Sequence, residues 1–283
     1  MLGGDGVRTT TLPSGEAVPV LGQGTWHMGE KASRGEQEVA ALRAGLDLGL
    51  TLIDTAEMYA DGGAEKVVGE AIAGRRDDVF LVSKVLPQNA SRSGTVAACE
   101  RSLKRLRTDR IDLYLLHWQG KIPVDRTLEG FNELVEKKKI RYWGVSNFDV
   151  ADMEDVFALP GGESVATDQV LYNLTRRGIE YDLLPWCTDR NIPIMAYSPI
   201  EQGRLLNKRA LAAVGERHEA TPAQVALAWV LRENNVIAIP QSAEPDHIRE
   251  NRAALDLKLT GADIKELDGA FPPPRRKRAL EMI

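Results

Sequence analysis

Four side chains of this sequence have the types and spacing of a proton-transfer site. Asp54 ends the apolar run Leu52-Ile53 within "LIDTAEMYA", and Tyr59 follows five positions later, ahead of the helical-looking "AEKVVGEAI". Lys84 ends "VFLVSK", and His117 closes the run "DLYLLH". A phenol is a weak acid with an ordinary pKa of about 10, and it gives up a proton readily only where its phenolate is stabilised. An ammonium within a few ångströms does this, shifting a pKa by roughly 1 to 3 units. Lys84 is therefore expected to bring Tyr59 down, while Asp54 keeps Lys84 charged and oriented. His117 can fix an oxygen facing the phenol, as an electrostatic donor or in proton relay. Taken singly, each residue has an ordinary structural alternative: a turn acceptor for Asp54, a half-exposed loop aromatic for Tyr59, a solvated Lys84, a packed core histidine for His117. Their joint placement favours the chemical reading, provided the fold brings them together.

The elements that must do so are short β-type runs alternating with helical ones. The candidate strands are "PVLGQGTW" near 20, "LTLIDT" near 52, "VFLVSK" near 80, "DLYLLHW" near 114, "IRYWGVS" near 142, "VATDQV" near 167, "IPIMAYS" near 194 and "VIAIP" near 238. Eight parallel strands close a (β/α)8 TIM barrel, and such a barrel presents all its strand C-termini on one face. Asp54, Lys84 and His117 end the second, third and fourth strands, and neighbouring strands lie about 4.8 Å apart. Tyr59 reaches the same face from the second loop. Between the strands, residues 36–48 carry apolar side chains at helical spacing and stop at Gly49. Thr221, Pro222 and Gln224 supply an N-cap, a first-turn proline and a capping-box partner. An N-terminal β-hairpin around Pro13-Ser14-Gly15 is placed at the barrel floor, and the short C-terminal tail "FPPPRRKRALEMI" reads as irregular. No linker interrupts the pattern, so residues 1–283 are read as a single α/β domain.

Composition narrows the function classes. At 43% hydrophobic and 27% charged residues the chain is an ordinary soluble globule. A net charge of -5 argues against nucleic acid, and the run "RRKR" at 275–278 reads as a solvated tail. No apolar run approaches the roughly 20 residues of a membrane helix, and "MLGGDGVRTT" has no apolar signal core, so a cytoplasmic protein is expected, with a monomer as the default state. Cys99 and Cys187 stand far apart within helical stretches, which disfavours a disulfide. The histidines, His27, His117, His218 and His247, show no metal-ligand spacing, so no metal is expected.

Taken together, "GQGTW", "IDTAEMYADGGAEKVVGEAI", "SKV", "DLYLLHW", "GVSNF", "QVLYN", "AYSPI" and "IPQSAEPDHIREN" resemble the aldo-keto reductases from about Pro19 to Asn251. Within that family the likeness is to the bacterial branch acting on methylglyoxal and related small aldehydes. The resemblance implies a catalytic tetrad of Asp54, Tyr59, Lys84 and His117, and reduction of a carbonyl with hydride from a nicotinamide nucleotide and a proton from Tyr59. No G-x-G-x-x-G follows any strand, so a Rossmann site is unsupported. A barrel instead gathers phosphates at the loops after its seventh and eighth strands, here "AYSPIEQGRLL" and "IPQSAEPDHIREN". By resemblance Ser146, Asn147 and Gln169 hold the nicotinamide carboxamide and Tyr197 stacks on its ring. Ser198, Pro199, Gly203 and Ser242 line the pyrophosphate region, Glu250 and Asn251 the adenine end, and Thr25, Trp26, Asp54 and Ile239 complete the set.

Family habit favours NADPH, but this chain has Gln241 and His247 where many NADPH-preferring members carry Lys and Arg toward the 2'-phosphate. Losing charge-assisted hydrogen bonds there, each contributing roughly 1.5 to 3 kcal/mol, opens the way to NADH. Trp26 and Trp118, with Tyr59 and His117, are expected to wall a substrate pocket for small carbonyls. The short tail implies an open site. The rival reading is a barrel that binds nicotinamide nucleotide without catalysis, as a redox sensor or accessory subunit.

Overall fold

The alternation of apolar runs and helical stretches is realised as ten strands and ten α-helices in a computed structural model that describes residues 6–283. The first five residues of "MLGGDGVRTT" lie outside the described residues. The hairpin pairs β1 (Thr9–Thr11) with β2 (Ala17–Pro19), antiparallel, across the turn at 13–15. The eight-stranded sheet follows in sequence order: β3 (Gln23–Gly24), β4 (Leu52–Asp54), β5 (Phe80–Val85), β6 (Ile111–Leu116), β7 (Ile140–Ser146), β8 (Asp168–Leu171), β9 (Ile194–Tyr197) and β10 (Val236–Ala238). All neighbours are parallel.

The sheet closes on itself. Leu21 and Gly24 bridge Ala238 and Gln241, and the amides of Gly22 and Gly24 donate to the carbonyls of Ala238 and Pro240. Glycine is needed at this seam, because a Cβ on Gly24 would stand 2.7 Å from the Ile239 carbonyl oxygen. The staggered closure also explains why only two residues of "PVLGQGTW" count as ladder.

Strand parity then sorts the side chains. Leu52, Phe80, Val82, Leu113, Leu115, Met195 and Ile237 face inward and fill the barrel, with Leu12 and Val18 of the hairpin packed beneath them as a floor. The alternate residues Ile53, Leu81, Tyr114 and Leu116 face outward into the larger core under the helices. Continuing the inward parity to the strand C-termini gives Asp54, Lys84, His117, Ser146, Gln169 and Tyr197. A polar layer therefore caps an apolar one, on the face where the loops converge.

The helices are α1 (Gly35–Asp47), α2 (Gly63–Ala71), α3 (Arg92–Leu106), α4 (Val124–Glu136), α5 (Val150–Phe157), α6 (Leu183–Asp189), α7 (Arg209–His218), α8 (Pro222–Val230), α9 (Pro245–Ala253) and α10 (Gly261–Ala270). Local chemistry sets their ends. Gly49 takes φ +83° just past α1, and Thr221 with Gln224 forms a reciprocal capping box on α8, as does Asp149 with Asp152 on α5. Cys99 and Cys187 are free and buried within α3 and α6. Beyond Phe271 the chain is irregular but not detached: Lys277 pairs with Asp182 at 3.2 Å and Arg176 with Glu281 at 2.6 Å. The basic run is thus partly docked rather than wholly solvated, because Asp182 and Asp149 present carboxylates beneath it.

Candidate active site

The polar layer is organised around one buried cation. Lys84, 0% exposed, donates from Nζ to Asp54 Oδ2 at 2.8 Å, to the Thr55 carbonyl at 3.0 Å and to the Tyr59 hydroxyl at 3.1 Å. Those three bonds use all three of its protons. Burial alone would pull the Lys84 pKa down, but the charge and hydrogen bonds of Asp54 and Tyr59 outweigh it, and the net displacement is upward. Asp54 is equally committed, since its Oδ1 accepts from Gln169 Nε2 at 2.8 Å.

Tyr59 is held by a turn rather than by a strand. Its N–H donates to the Ala56 carbonyl, and Thr55 N–H is tied to the Val82 carbonyl of β5. Glu57, 8% exposed, fastens this loop to the next: Oε1 accepts from Leu86 N–H at 2.8 Å and from Asn89 Nδ2 at 2.9 Å. Sequence reasoning passed over Glu57, whose only signal was a carboxylate between two site residues. Burial pushes the Tyr59 pKa up, Lys84 pulls it down, Asp54 pushes it up, and the net result is a raised value. This corrects the expectation of a lowered one: the ammonium acts in the anticipated direction, but withdrawal from water outweighs it.

His117 lies beside the phenol, its ring 5.8 Å from that of Tyr59 in an edge-on arrangement, with Trp118 4.9 Å beyond. Burial first, and Lys84 second, lower its pKa to about 2, so the imidazole is neutral. Its Nδ1 is buried without a hydrogen-bond partner. On the other side of Asp54 a chain of polar side chains crosses the barrel mouth. Ser146 Oγ donates to the Gln169 carbonyl at 2.7 Å, Asn147 Nδ2 to Ser146 Oγ at 3.0 Å and to the His117 carbonyl at 3.1 Å, and the Tyr197 hydroxyl to Asn147 Oδ1 at 3.0 Å. Thr25 Oγ1 donates to the Asp54 carbonyl at 2.9 Å.

The outer side of this polar layer lines one cavity of about 500 Å³. It holds Asp54, Tyr59, His117 and Trp118 together with Thr25, Trp26, Ser146, Asn147, Gln169, Tyr197, Ser198, Pro199, Gly203, Ile239, Gln241 and His247. Four expected members lie off its lining, the first being Lys84, fully buried behind Asp54 and Tyr59. Ser242 turns its Oγ to the Glu244 N–H at the start of α9, while Glu250 and Asn251 sit further along that helix, Asn251 buried. Other lining residues were not anticipated, notably Met58, Leu206, Met282 and Ile283. The last two show that the tail, though short, is carried back to the cavity wall by its ion pairs, where both side chains remain about half exposed. Among the described residues no group of three or more His, Cys, Asp or Glu side chains is arranged to hold a metal.

A parallel eight-stranded barrel with this constellation at its strand C-termini defines a class, and the comparisons agree with it. Residues 20–271 match the Aldo/keto reductase family, and the chain belongs to that family. It is 55% identical over 272 residues to the methylglyoxal reductase YeaE of Escherichia coli strain K12, covering 94% of this chain and 96% of that protein. It is 33% identical to the glyoxal reductase of Bacillus subtilis strain 168, covering 92% and 91%. A crystal structure of an aldo/keto reductase from Klebsiella pneumoniae in complex with NADP and acetate superposes with a TM-score of 0.96 at 52% identity, covering 98% of this chain and 100% of that one.

Proposed function

We propose that this chain is an NADPH-dependent carbonyl reductase acting on methylglyoxal and other small aldehydes and ketones. The observation that carries the reading is the Lys84–Tyr59 contact, backed by Asp54, on the wall of a cavity large enough for a nucleotide end and a small carbonyl. The similarity to methylglyoxal and glyoxal reductases supports the substrate class, and the NADP complex of the Klebsiella protein supports the nucleotide.

The residues present suit such a cofactor. The cavity runs from Tyr59 and His117, past the amides of Asn147 and Gln169 and the ring of Tyr197, to Ser198, Gly203, Gln241 and His247. Ser146, Asn147 and Gln169 offer amide and hydroxyl partners for a carboxamide, and Tyr197 a flat wall. Gly203, at φ +84°, lets backbone approach a diphosphate without a side chain in the way. A bound reduced nicotinamide supplies the hydride that goes to the carbonyl carbon.

Tyr59 holds the proton required by the developing alkoxide, and its raised pKa keeps that proton in place until charge appears on the substrate oxygen. Lys84 then stabilises the phenolate left behind, in a site where Asp54 and Gln169 have already fixed the ammonium's position. His117, neutral, is placed to offer an N–H to the same oxygen without adding a charge. Trp26, Trp118 and Met58 supply apolar surface around the carbonyl's substituent.

The reading takes residues 1–283 as one domain and the protein as cytoplasmic, the latter on composition, with a monomer as the default state. Among the described residues no helix is long and apolar enough to cross a membrane. The deciding experiment follows loss of reduced nucleotide absorbance with methylglyoxal, with NADPH and NADH in parallel. Nucleotide binding without turnover across a panel of aldehydes and ketones would favour the sensor reading.

A further inference from the structure

The loop after β9 has a backbone that the chain would not adopt unaided. Ser198, Glu201 and Gln202 have φ of 47°, 49° and 55°, and Gly203 has 84°, so three non-glycine residues in this short stretch lie in the left-handed region. Such conformations persist only where the surroundings impose them. Here Glu201 does the imposing, with its side chain turned inward and 4% exposed. Its Oε2 accepts from Asn173 Nδ2 at 2.7 Å. Its Oε1 accepts from Arg176 Nε at 3.2 Å and Nη2 at 3.1 Å, and from Arg204 at 3.2 Å. Asn173 Nδ2 also reaches the Ser198 carbonyl at 2.9 Å, and Asn173 Oδ1 accepts from the Arg176 N–H at 3.1 Å, which fixes the turn that presents the guanidinium.

Arg176 does not stop at Glu201. Its remaining terminal nitrogen donates to Glu281 at 2.6 Å, immediately before Met282 and Ile283 on the cavity wall. Among the ion pairs of the described residues, Arg176 alone joins the loop that carries Ser198, Pro199 and Gly203 to the tail that closes over Tyr197. The planar fork fixes the two directions at once, Nε and Nη2 to Glu201 and Nη1 to Glu281, a preorganised geometry that the freely rotating donors of a lysine do not reproduce.

We infer that Arg176 is a positioning residue that makes the nucleotide-facing loop, residues 198–206, and the substrate-facing tail, residues 277–283, a single unit, so that seating either one favours the other. The inference rests on the proposed function for the identity of the two ligands. Its consequence is linkage: a change confined to the tail must reach nucleotide affinity, and by the same factor nucleotide must reach affinity on the tail side. A partly exposed ion pair supports a change of about two- to fivefold.

The test measures the NADPH Kd by quenching of tryptophan fluorescence, which needs no turnover, beside the KM for methylglyoxal. Glu281→Gln removes the tail's charge from a residue whose side chain is 37% exposed, outside the nucleotide loop. It should weaken NADPH about two- to fivefold and raise the methylglyoxal KM by a similar factor. Arg176→Lys should do the same, and the double variant should be no worse than either single one. Unchanged NADPH binding in Glu281→Gln, or losses that add in full in the double variant, would overturn the inference. If Arg176→Lys fails to give a cooperative melt, Glu281→Gln alone decides. Wild-type protein that binds NADPH but reduces no carbonyl removes the proposed activity while leaving the linkage readable in Kd; wild-type protein that binds no NADPH overturns both.

Discussion

The Lys84 ammonium stands 3.1 Å from the Tyr59 hydroxyl oxygen, and that single contact fixes the direction of the phenol's proton. An ammonium has donors only, so the oxygen of Tyr59 must accept, and its own hydrogen must point elsewhere. With Asp54 and Thr55 already taken up by Lys84, the direction left is the cavity. A tyrosine arranged in this way is a donor to whatever oxygen the cavity holds.

Removing that donor should separate chemistry from binding. Tyr59→Phe keeps the ring and its edge-on contact with His117 but deletes the proton. Turnover with methylglyoxal should fall by about 100- to 10,000-fold, the usual contribution of a positioned general acid. The NADPH Kd from fluorescence should stay within about twofold. Retention of more than a tenth of wild-type kcat would sink the assignment of Tyr59.

The same buried pair makes a prediction about stability. Lys84 and Asp54 have side chains 0% and 3% exposed, so Lys84→Met strands a carboxylate that only Gln169 still contacts. Breaking a buried pair from one side typically costs about 3 to 5 kcal/mol. Changing Asp54 to Asn as well removes the stranded charge, so the double variant should recover a large part of that loss in urea melts while staying inactive. A Lys84→Met protein as stable as wild type would show that the pair is not closed to water in the way its burial indicates.

His117 gives the protein an acid-side weakness whose sign can be worked out. Its pKa falls from an ordinary value of 6.5 to about 2 on folding. Between those limits the unfolded chain binds a proton that the folded chain does not, so stability rises with pH there. The contribution is fully present above about 6.5 and drains away as pH falls toward 2, at up to about 1.4 kcal/mol per pH unit. His117→Asn should therefore flatten the fall in Tm between pH 6.5 and 4, measured by calorimetry against wild type. An equally steep fall in the variant would assign the acid sensitivity to other groups.

Why some of this was legible in the sequence, and some not, follows from the range of the interactions. Strand parity is a two-residue rule, so Asp54, Lys84 and His117 could be assigned to one face from their positions at the ends of apolar runs, and the structure brings Asp54, Tyr59 and Lys84 into hydrogen-bonding contact with His117 beside them. The hairpin around Pro13 and the α8 cap were legible for the same local reason. The net pKa of Tyr59 was not, because burial belongs to the assembled site and outweighs the one neighbour that sequence could name. Nor was the return of Met282 and Ile283 to the cavity, since an irregular tail has no periodicity and is steered by Arg176, more than 100 residues upstream. Glu250 and Asn251 follow α9 away from the lining, a matter of helix phase that a motif match does not carry, and Ser242, ahead of that helix, commits its Oγ to the Glu244 N–H.

Nucleotide choice is expected to be made at the far end of the cavity. Gln241 and His247, both exposed, line it with a neutral amide and an imidazole at positions where the family resemblance leads one to expect lysine and arginine. Gln241 can give a 2'-phosphate there a hydrogen bond, but it lacks the full positive charge that a lysine would add to that bond. Restoring a cation with Gln241→Lys should tighten NADPH by about three- to tenfold and leave NADH, which lacks that phosphate, within about twofold. Because the site is open to solvent, the gain should shrink as salt rises from about 0.05 to 0.5 M, where the Debye length contracts. Equal tightening of both nucleotides in fluorescence titrations would mean that Gln241 faces some other part of the ligand, and the explanation of nucleotide preference would have to move to the loop of Ser198 and Gly203.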